Sequence, residues 1–462
     1  MVRWALVHPP YGEVFGPVSR TDHSEMPLGL AYIAAVLQTQ GHEVYIVDAM
    51  GLNLSMDNVL ALLEALGPDV VGATCPTPLV PWVQALFDEV RQRLPDALRV
   101  CGGPHPTARP EDLLPHVHAC VIGEAEDTVI DVSRWAEGEL RPASIPGLSV
   151  LRGGRAVSTG PRALVDPLDR LPFPARHLFP CDAYSFDYPG EDETYASVMT
   201  SRGCPHGCTF CATSLTFGRR VRYRSTDSVM DELRHLSREG VGFVFFFDDT
   251  FTLDTARTRA LCRRIRDSGL GLRWACLARA DRLDSDTLSV MHDAGCVEVQ
   301  VGVESGDQRV LDTIGKGVKV DQLRHAFRNL RESGIRSKGF FIYGLPGETP
   351  ESARRTTELA LELDPDYAYF GVFVPFPGTA SFSQCADNLL SSDWSDFCFF
   401  KEPVVVMDDI SPEEVEAARR DAVRRFYFRP GKLLAHIPTF LASPRRALTA
   451  AEAAVALGWP GR

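Results

Sequence analysis

The sequence predicts an α/β protein with a doubly wound, Rossmann-like N-terminal domain, a central partial (β/α)6 barrel and a mostly helical C-terminal appendage. Three observations lead to this fold class. The 462 residues exceed the size at which one hydrophobic core keeps growing. Short apolar runs alternate with helical patterns over residues 1–137. The same alternation resumes with longer units over residues 191–385.

The first region carries five apolar runs that we expect to be strands, at residues 3–8, 43–48, 69–74, 98–101 and 119–122. Helical patterns separate them, near residues 27–40, 55–66, 79–94 and 110–114, and another follows Glu126. Such alternation is typical of a parallel sheet with helices on both faces. Residues 138–190 are rich in Pro, Gly and Arg. Because proline fixes φ and removes a backbone donor, we expect a linker or wrapping segment there.

The central region carries six candidate strands, at residues 195–200, 243–247, 273–278, 297–303, 338–343 and 367–374. Six strands over roughly 180 residues fit an open barrel better than a closed eight-stranded one, which typically takes about 250. Residues 386–462 are expected to form the helical appendage. Within it, Ser411-Pro412-Glu413-Glu414 has the side chains of a capping box and predicts a helix running toward Phe428.

Composition excludes several classes of partner. The formal net charge of −13 opposes binding to phosphate backbones, so no nucleic-acid partner is expected. No apolar run approaches the ~20 residues that a membrane span needs, and the N-terminus does not read as a signal peptide, so we expect a cytoplasmic protein without a membrane partner. The twelve cysteines are then better explained as reduced thiols or metal ligands than as disulfides.

Three of these cysteines are grouped in Cys204-Pro205-His206-Gly207-Cys208-Thr209-Phe210-Cys211. This spacing lets one loop direct three thiolates at one inorganic core. Ordinary four-iron clusters take four cysteines, and no fourth lies nearby, so one iron would stay open. The alternative is a zinc site with His206 as the fourth ligand, although zinc loops usually distribute their ligands over two separate pairs.

Residues 195 to about 380 resemble the radical S-adenosylmethionine superfamily, whose signature is this three-cysteine loop after the first barrel strand. The resemblance implies a [4Fe–4S] cluster on Cys204, Cys208 and Cys211, with S-adenosylmethionine chelating the open iron. One electron, from a donor such as flavodoxin or ferredoxin, then splits the sulfonium to a 5'-deoxyadenosyl radical. The aromatic residue that the family places before the last cysteine is Phe210.

The resemblance also assigns contacts with S-adenosylmethionine to residues at the strand ends. They are Phe210, Phe247, Asp248, Asp249, Arg279, Glu304, Ser305, Ile342 and Gly344. The segment 247–249 would meet the amine through its backbone, although it departs from the Gly-Gly-Glu of the family. Arg279 suits the carboxylate because guanidinium is a permanent fork of donors. Glu304 suits the ribose hydroxyls, and Ile342 and Gly344 the adenine side.

Each of these assignments has a plainer alternative. Arg279 and Glu304 could form a structural ion pair, since such pairs also collect at strand ends. Asp248 and Asp249 could cap the next helix, and residues 344–347 could be only a turn.

The first domain resembles the cobalamin-binding domain of the cobalamin-dependent radical S-adenosylmethionine subgroup. In open α/β sheets, ligands sit outside the carboxyl ends of the strands. A dinucleotide site is disfavoured because Gly-x-Gly-x-x-Gly is missing after the first strand. The resemblance implies cobalamin contacts at these strand ends: Pro10, Tyr11, Thr74, Cys75, Thr77, Gly102, Gly103, Pro104, His105, Gly123 and Glu124. Gly102 and Gly103 would admit the nucleotide tail.

The Asp-x-His-x-x-Gly motif, which supplies a histidine below cobalt in mutase-like domains, does not occur in the sequence. We therefore expect cobalt without a histidine lower ligand, with the loop around Cys75 on that face. The alternative is that this domain binds no cobalamin, because without the motif the assignment rests on fold analogy.

The combined resemblance implies a cobalamin-dependent radical S-adenosylmethionine methyltransferase acting on an unactivated carbon of a small, specialised-metabolite substrate. One S-adenosylmethionine would methylate cobalamin and a second would supply the radical. The same subgroup contains enzymes that cyclise, contract or oxygenate rings without methyl transfer. A hypothesis from another class is an electron carrier or cobalamin sensor. Carriers usually use four cysteines, and a sensor has no use for an open iron.

Overall fold

The first sheet of the computed structural model, which describes residues 1–12, 25–184 and 194–434, has seven strands. Their bounds are β1 Arg3–His8, β2 Glu43–Asp48, β3 Val70–Thr74, β4 Leu98–Gly102, β5 Ala119–Val121, β6 Leu148–Arg152 and β7 Arg155–Ser158. The strand order is β2-β1-β3-β4-β5-β6-β7, and the first five strands are parallel. The order β2-β1-β3-β4-β5 is that of flavodoxin-like sheets, which bind ligands where the strand order reverses.

Helices cover both faces of this sheet. They are α1 Leu28–Thr39, α2 Met56–Leu66, α3 Val80–Arg93, α4 Pro104–Ala108 and α5 Glu126–Ala136. Alternate residues of β1 lie in different clusters, with Trp4 and Leu6 in one and Ala5 and Val7 in the other. Since successive side chains of a strand point to opposite faces, both faces of the sheet are buried. The predicted doubly wound arrangement is confirmed.

The segment predicted as a linker contains an unpredicted β-hairpin. Strands β6 and β7 pair antiparallel and extend the first sheet beyond β5. Leu148 and Val150 are buried in the core, so this part is not a wrapping loop. The physical signal was present: alternating residues flank Gly153-Gly154, a dipeptide that favours the tight turn of a hairpin.

The rest of this segment runs along both halves of the molecule. The Ala175 amide donates to the carbonyl of Ala31 at 3.0 Å, which fixes the chain on α1. Arg176 donates to the carboxylate of Glu232 at 2.5 Å, on the barrel side. The Tyr184 hydroxyl donates to Asp48 at the end of β2. Residues 159–184 are therefore packed against both halves of the molecule and connect them.

The second sheet is the open barrel. Its strands are β8 Tyr195–Val198, β11 Phe243–Phe246, β12 Arg273–Ala278, β13 Cys296–Glu304, β14 Arg336–Tyr343 and β15 Tyr367–Val372. The order is β15-β14-β13-β12-β11-β8, all pairs are parallel, and β8 and β15 remain as edges. This confirms a six-stranded partial barrel. A two-stranded antiparallel ribbon, β9 Ser201–Arg202 with β10 Arg222–Tyr223, follows β8.

Helices cover the outer face of the barrel. They are α7 Thr226–Arg238, α8 Thr255–Asp267, α9 Ser285–Asp293, α10 Gln308–Thr313, α11 Val320–Ser333, α12 Pro350–Leu363, α13 Ala380–Cys385 and α14 Pro412–Tyr427. The short helix α6 Thr213–Phe217 lies instead next to α4 of the first domain. Helix α14 begins with the predicted capping box, in which Ser411 accepts from the Glu414 amide at 3.2 Å. Its Phe426 packs against Phe370 of β15. None of the helices among the described residues is long and apolar enough to cross a bilayer.

The predicted helical appendage is only partly helical. Residues 386–411 are mostly irregular, with short 3-10 turns at Ala386–Asn388 and Trp394–Asp396. The backbone of this segment instead lies against the barrel edge, since the Val372 amide donates to the carbonyl of Phe399 at 3.0 Å. The last part of the predicted appendage, after residue 434, lies outside the described residues.

One hydrophobic cluster contains side chains of both sheets. From the barrel come Tyr195, Phe243 and Phe245, and from the first domain Trp4 and Tyr32. The outer residues of the same barrel strands pack in a separate cluster with the helices. The concave face of the open barrel is therefore covered by the first domain.

Candidate functional site

The three grouped cysteines lie on the loop that follows β9. Cys204 and Cys208 are half-buried and Cys211 is exposed. Gly203 starts this loop with a φ of +94°, and a β-carbon there would come within 2.6 Å of the Arg220 carbonyl oxygen. The Thr209 amide donates to the Ile314 carbonyl at 2.9 Å. We call residues 203–211 the Cys loop; the Thr209 bond fixes it to the barrel half, and Gly203 passes close to the backbone before β10.

The Cys loop is not arranged around a single ion. Among the described residues, no three His, Cys, Asp or Glu side chains lie close enough to hold one metal ion. A tetrahedral zinc site needs its sulfur ligands about 2.3 Å from one ion, whereas in a four-iron cluster different irons take different thiolates. His206 Nε2 is buried and has no hydrogen-bond partner in the described part of the chain. Burial, followed by the charge of Arg279, lowers the pKa of His206.

Asp248 holds the strand end from which the Cys loop departs. Its carboxylate is 1% exposed and accepts the Thr200 amide and the Thr200 hydroxyl, both at 2.8 Å, and the Ser201 hydroxyl at 3.0 Å. Burial raises the pKa of Asp248 in spite of these bonds. The alternative that Asp248 and Asp249 cap the next helix is wrong, because α8 begins at Thr255 and is capped by Asp254.

The neighbours of Asp248 face more open surroundings. We call the carboxyl ends of the barrel strands, with the loops that follow them, the barrel mouth. Phe247 is 39% exposed there, and its ring meets that of Phe245 edge to face. Burial raises the pKa of Asp249 to about 6. The segment 247–249 thus directs one carboxylate into the fold and leaves an aromatic ring at the mouth.

Glu304 and Arg279 meet through a lysine that the sequence analysis missed. Lys316 Nζ donates to Glu304 Oε1 at 2.6 Å, and Arg279 donates to the Lys316 carbonyl at 2.8 Å and to Asp281 at 3.1 Å. The alternative of a direct ion pair between Arg279 and Glu304 is therefore wrong. Glu304 pairs with Lys316, and Arg279 pairs with Asp281. All three side chains of this group are buried. The position of Lys316 between two glycines was the signal available in the sequence.

The backbone of Glu304 is strained. Its φ is +63°, in the left-handed region that non-glycine residues rarely adopt, and the pairing of β13 with β14 shifts register just before it. Strain of this kind costs of order 1–3 kcal/mol and persists where the surroundings impose it, which is common at functional sites. Ser305 turns away from the mouth, since its hydroxyl lies 3.2 Å from that of Thr356.

The turn after β14 is built around a buried acid. The Gly344 amide donates to Glu348, whose other oxygen has no hydrogen-bond partner among the described residues. Burial raises the pKa of Glu348 to about 8. Phe210 and Ile342 are half-buried against the barrel core, and Gly344 lies under Val415 of α14.

The strand ends of the first domain commit their polar side chains to one another. His105 has one ring nitrogen 3.2 Å from the Thr77 hydroxyl and the other 3.1 Å from Asp112. Cys75 is fully buried in the core of the sheet. The carboxylate of Glu124 is bound by arginines of the barrel half. The positions that stay partly exposed are Tyr11, Thr74, Gly102, Gly103, Pro104 and Gly123.

Comparison with known proteins identifies the architecture. A model of the radical SAM superfamily matches residues 198–360, and a model of the B12 binding domain matches residues 18–133. An uncharacterized methyltransferase of Pyrococcus horikoshii is 34% identical over 419 residues, which cover 89% of this chain and 90% of that protein. The chain belongs to the cobalamin-dependent radical S-adenosylmethionine enzymes. The predicted family, fold class and radical enzyme activity are thereby confirmed.

Two further proteins resemble the chain. The anaerobic magnesium-protoporphyrin IX monomethyl ester cyclase of Cereibacter sphaeroides is 28% identical over 449 residues, 95% of this chain and 72% of that protein. The radical S-adenosylmethionine methyltransferase TsrM from Kitasatospora setae, solved with cobalamin and a [4Fe–4S] cluster, superposes with a TM-score of 0.72. It is 20% identical, and the match covers 93% of this chain and 89% of TsrM. That likeness concerns the fold.

Membership of this family confirms the three predicted cofactors, a [4Fe–4S] cluster, S-adenosylmethionine and cobalamin. The barrel mouth fits the first two. Its Cys loop offers three thiolates, and Arg279 and Lys316 supply positive charge beside Cys208. His206 Nε2 has no hydrogen-bond partner within residues 1–12, 25–184 and 194–434. The assignment of individual residues to the cluster and to S-adenosylmethionine stays a prediction.

The first domain fits cobalamin through its backbone more than through its side chains. Contacts from the side chains of His105, Thr77, Cys75 and Glu124 are not supported, because hydrogen bonds or burial within the protein already use them. The space beside Gly103 is also filled, since a β-carbon there would lie 2.9 Å from the Thr74 hydroxyl oxygen. The exposed positions of these strand ends, and the absence of a histidine below cobalt, stay predictions.

Proposed function

We propose that this enzyme is a cobalamin-dependent methyltransferase that acts on an unactivated carbon of a small, specialised-metabolite substrate. The observation that carries the proposal is the direct contact between the Cys loop region and the carboxyl-end loops of the first sheet. Arg202, two residues before Cys204, donates to Glu124 at 3.0 Å. Transfer of a methyl group from S-adenosylmethionine to cobalamin requires the two cofactors to lie close together in a fixed orientation. This contact joins the proposed cluster loop to the loops proposed to bind cobalamin. The similarity to the Pyrococcus horikoshii methyltransferase supports the same reaction class.

The residues of the barrel mouth take distinct roles in this proposal. Cys204, Cys208 and Cys211 hold the cluster, which when bound supplies one electron to S-adenosylmethionine. Arg279 and Lys316 neutralise the carboxylate of S-adenosylmethionine, because charge-assisted hydrogen bonds to a carboxylate are the strong ones. Glu304 accepts from the ribose hydroxyls. Phe247 covers the mouth with an apolar ring and helps to exclude water from the radical.

The reaction also requires an electron donor. Cys211 is exposed, so one edge of the Cys loop reaches the protein surface. We propose that a small cytoplasmic carrier such as flavodoxin or ferredoxin reduces the cluster there. The enzyme would then work in the cytoplasm, in keeping with the reduced state expected of its twelve cysteines.

Cyclisation or another ring reaction without methyl transfer is the second candidate. The 28% identity to the anaerobic cyclase over 95% of this chain favours it. Both reactions begin with the same radical, and both would use the same residues at the mouth. They differ in whether the methyl group of S-adenosylmethionine appears in the product.

Anaerobic incubation with methyl-labelled S-adenosylmethionine, a reductant and candidate substrates tests the proposal. We expect 5'-deoxyadenosine together with a labelled, methylated product. Formation of 5'-deoxyadenosine with an altered but unlabelled product would select the second candidate. A loaded enzyme that never forms 5'-deoxyadenosine would contradict radical chemistry and leave a carrier or a sensor. A variant with Cys204, Cys208 and Cys211 replaced by Ala serves as the blank.

A further inference from the structure

Four buried charged side chains join the first domain to the barrel. They are Glu124 and Glu126 from the first domain and Arg202 and Arg222 from the barrel half, and we call them the interdomain charge cluster. Each side chain is 5% exposed or less. Two carboxylates face two guanidinium groups, so the formal charges balance. Burying four charges carries a large desolvation cost, which their mutual contacts must offset.

Glu124 is the centre of this cluster. Its Oε1 accepts from Arg202 at 3.0 Å and from Arg222 at 2.9 Å. Its Oε2 accepts from Arg222 at 2.9 Å and from the Val165 amide at 2.6 Å. The second arm of Arg202 donates to Glu126 at 2.6 Å. Both oxygens of Glu124 are therefore bound on the barrel side, which is why this residue is not free to bind a cofactor.

The two arginines lie opposite each other on the ribbon that opens the Cys loop. Arg202 of β9 pairs directly with Arg222 of β10. Like charges directly opposite on paired strands destabilise a ribbon. Here Glu124 lies between them and binds both, so the ribbon depends on a carboxylate from the other domain. Cys204 comes two residues after Arg202, at the start of the Cys loop.

The far side of the Cys loop is tied to the same cluster. Arg222 donates to the carbonyl of Phe217 at 3.0 Å, at the end of the helix α6 that follows Cys211. The guanidinium of Arg202 lies 5.3 Å from the centre of the Phe217 ring, within reach of a cation–π contact. Both chain segments that flank the Cys loop thus converge on groups bound by Glu124.

From this arrangement we propose that Glu124 is a positioning residue that fixes the Cys loop relative to the first domain. This inference rests on the proposed function, because what Glu124 would set is the distance between the cluster and cobalamin. Buried ion pairs contribute little net stability compared with well-packed apolar residues, but their directional bonds can specify one arrangement. The role of Glu124 is exerted through Arg202 and Arg222, without contact with either cofactor.

A second buried cluster supplies a matched control. Glu232 is fully buried and also binds two arginines, Arg176 at 2.5 Å and Arg224. These groups join α7 to residues 159–184 and do not include a side chain of the first sheet. Glu124→Gln and Glu232→Gln therefore remove the same charge from similar surroundings. Arg224 of the control cluster also lies next to β10, but only Glu124→Gln removes a contact between the ribbon and the first domain.

The distance between the reduced cluster and cob(II)alamin gives a readout that does not depend on activity. Both centres carry unpaired spins, so pulsed electron paramagnetic resonance on the doubly loaded full-length enzyme reports how they are spaced. We expect Glu124→Gln to broaden or shift the distance distribution, and Arg202→Lys to do so less, since lysine keeps the charge but loses the fork. Glu232→Gln should lower the melting temperature yet keep the wild-type distribution.

A wild-type distribution in loaded Glu124→Gln and Arg202→Lys would overturn the inference. If Glu124→Gln does not fold, Arg202→Lys decides. If the wild type takes up no cobalamin, the proposed function fails, and amide hydrogen exchange on the cobalamin-free enzyme then tests the positioning role. Faster exchange over residues 203–217 in Glu124→Gln than in Glu232→Gln supports that role, and equal rates overturn it.

Discussion

The carboxyl ends of the barrel strands and those of the first sheet use their polar side chains in different ways. At the barrel mouth, Glu304, Lys316 and Arg279 lie together, and the backbone of Glu304 is strained. In the first domain, His105 binds Thr77 and Asp112, and Glu124 is bound by arginines. The barrel mouth therefore gathers charged side chains, whereas the partly exposed positions at the first sheet's strand ends are mainly glycines and other small or apolar residues.

This difference teaches where mutations should act on binding and where they should act on the fold. Replacing charged side chains at the barrel mouth should weaken binding, although Glu304 and Lys316 form a buried ion pair and also contribute to the fold. Polar residues at the first sheet's strand ends hold the protein together, so replacing them confounds the two effects. The following predictions test that division, beginning with the largest expected effect.

The largest effect should follow removal of the Cys loop thiols. Replacing Cys204, Cys208 and Cys211 with Ala should abolish the cluster, since it removes all three predicted thiolate ligands. Anaerobically reconstituted wild type should hold about four irons per chain, and the variant none. Iron and sulfide analysis with visible absorbance measures this. Cys181→Ala, at another exposed cysteine, is the control. A triple variant with full iron content would disprove the cluster assignment.

Charge removal at the mouth should weaken S-adenosylmethionine binding and spare the cluster. Lys316→Met, Arg279→Ala and Glu304→Gln each lose a charge-assisted hydrogen bond, which costs roughly 1.5–3 kcal/mol, or about ten- to a hundredfold in affinity. Equilibrium binding to the reconstituted enzyme measures the loss.

Ser305→Ala is the matched control for these variants, because the Ser305 hydroxyl faces Thr356. It should leave the affinity unchanged. If the three charge variants bind S-adenosylmethionine as tightly as Ser305→Ala does, then Lys316, Arg279 and Glu304 have a structural role only.

Buried Glu348 should make stability depend on pH. Burial raises its pKa from the ordinary 4.5 to about 8 in the folded state. Between these values only the folded protein keeps the proton, so the free energy of unfolding falls as pH rises, by at most about 1.4 kcal/mol per unit. Glu348→Gln should remove this slope. Denaturant unfolding at several pH values measures the slope, and Glu351→Gln, at an exposed glutamate, is the control. If Glu348→Gln keeps the slope of the wild type, then Glu348 is not its source.

The smallest effect on the fold should come from Gly102, in contrast with Gly103. Gly103 has a φ of +106°, and a β-carbon there would also lie 3.0 Å from the Cys75 amide nitrogen, so Gly103→Val should destabilise the domain whether or not cobalamin binds. A β-carbon at Gly102 would meet Val121 at an ordinary 3.6 Å. Gly102→Ala should therefore keep the wild-type melting temperature.

Cobalamin uptake by Gly102→Ala then tests whether the nucleotide tail lies close to the backbone, without a change in stability. If the nucleotide tail passes close to Gly102, uptake should fall, as measured by cobalamin absorbance after gel filtration. Unchanged uptake would mean that the tail takes another path. Loss of cobalamin in Gly103→Val alone would carry no such information.

Features encoded by local patterns were predictable from the sequence. The parallel strands of both sheets follow apolar runs, and the Cys loop follows a spacing of three thiols within eight residues. The capping box at Ser411 also fixed the start of α14. The hairpin at residues 148–158 was missed because its Gly-Gly turn sits in a segment dominated by Pro and Arg, and composition outweighed periodicity in that prediction.

Features that depend on long-range pairing were not predictable. Glu124 and Arg202 are 78 positions apart in the chain, and neither lies in a motif that names the other. Lys316 follows Glu304 by twelve residues on a separate turn, and only the folded barrel brings them to 2.6 Å. The contacts of His105 with Thr77 and of Asp248 with Thr200 likewise join residues that are 28 and 48 positions apart. A strand-end position predicts proximity to a site, but the direction of the side chain decides its use.

The hydrophobic cluster shared by the two sheets has a consequence for how the chain unfolds. Tyr195, Phe243 and Phe245 line the concave side of the barrel and pack in the same cluster as Trp4 and Tyr32. Neither half can lose its partner without exposing large aromatic surfaces to water, at about 25 cal/mol per Å². The two halves should therefore melt in one cooperative transition. A barrel expressed alone should aggregate, since the first domain serves as the wall that its open sheet lacks.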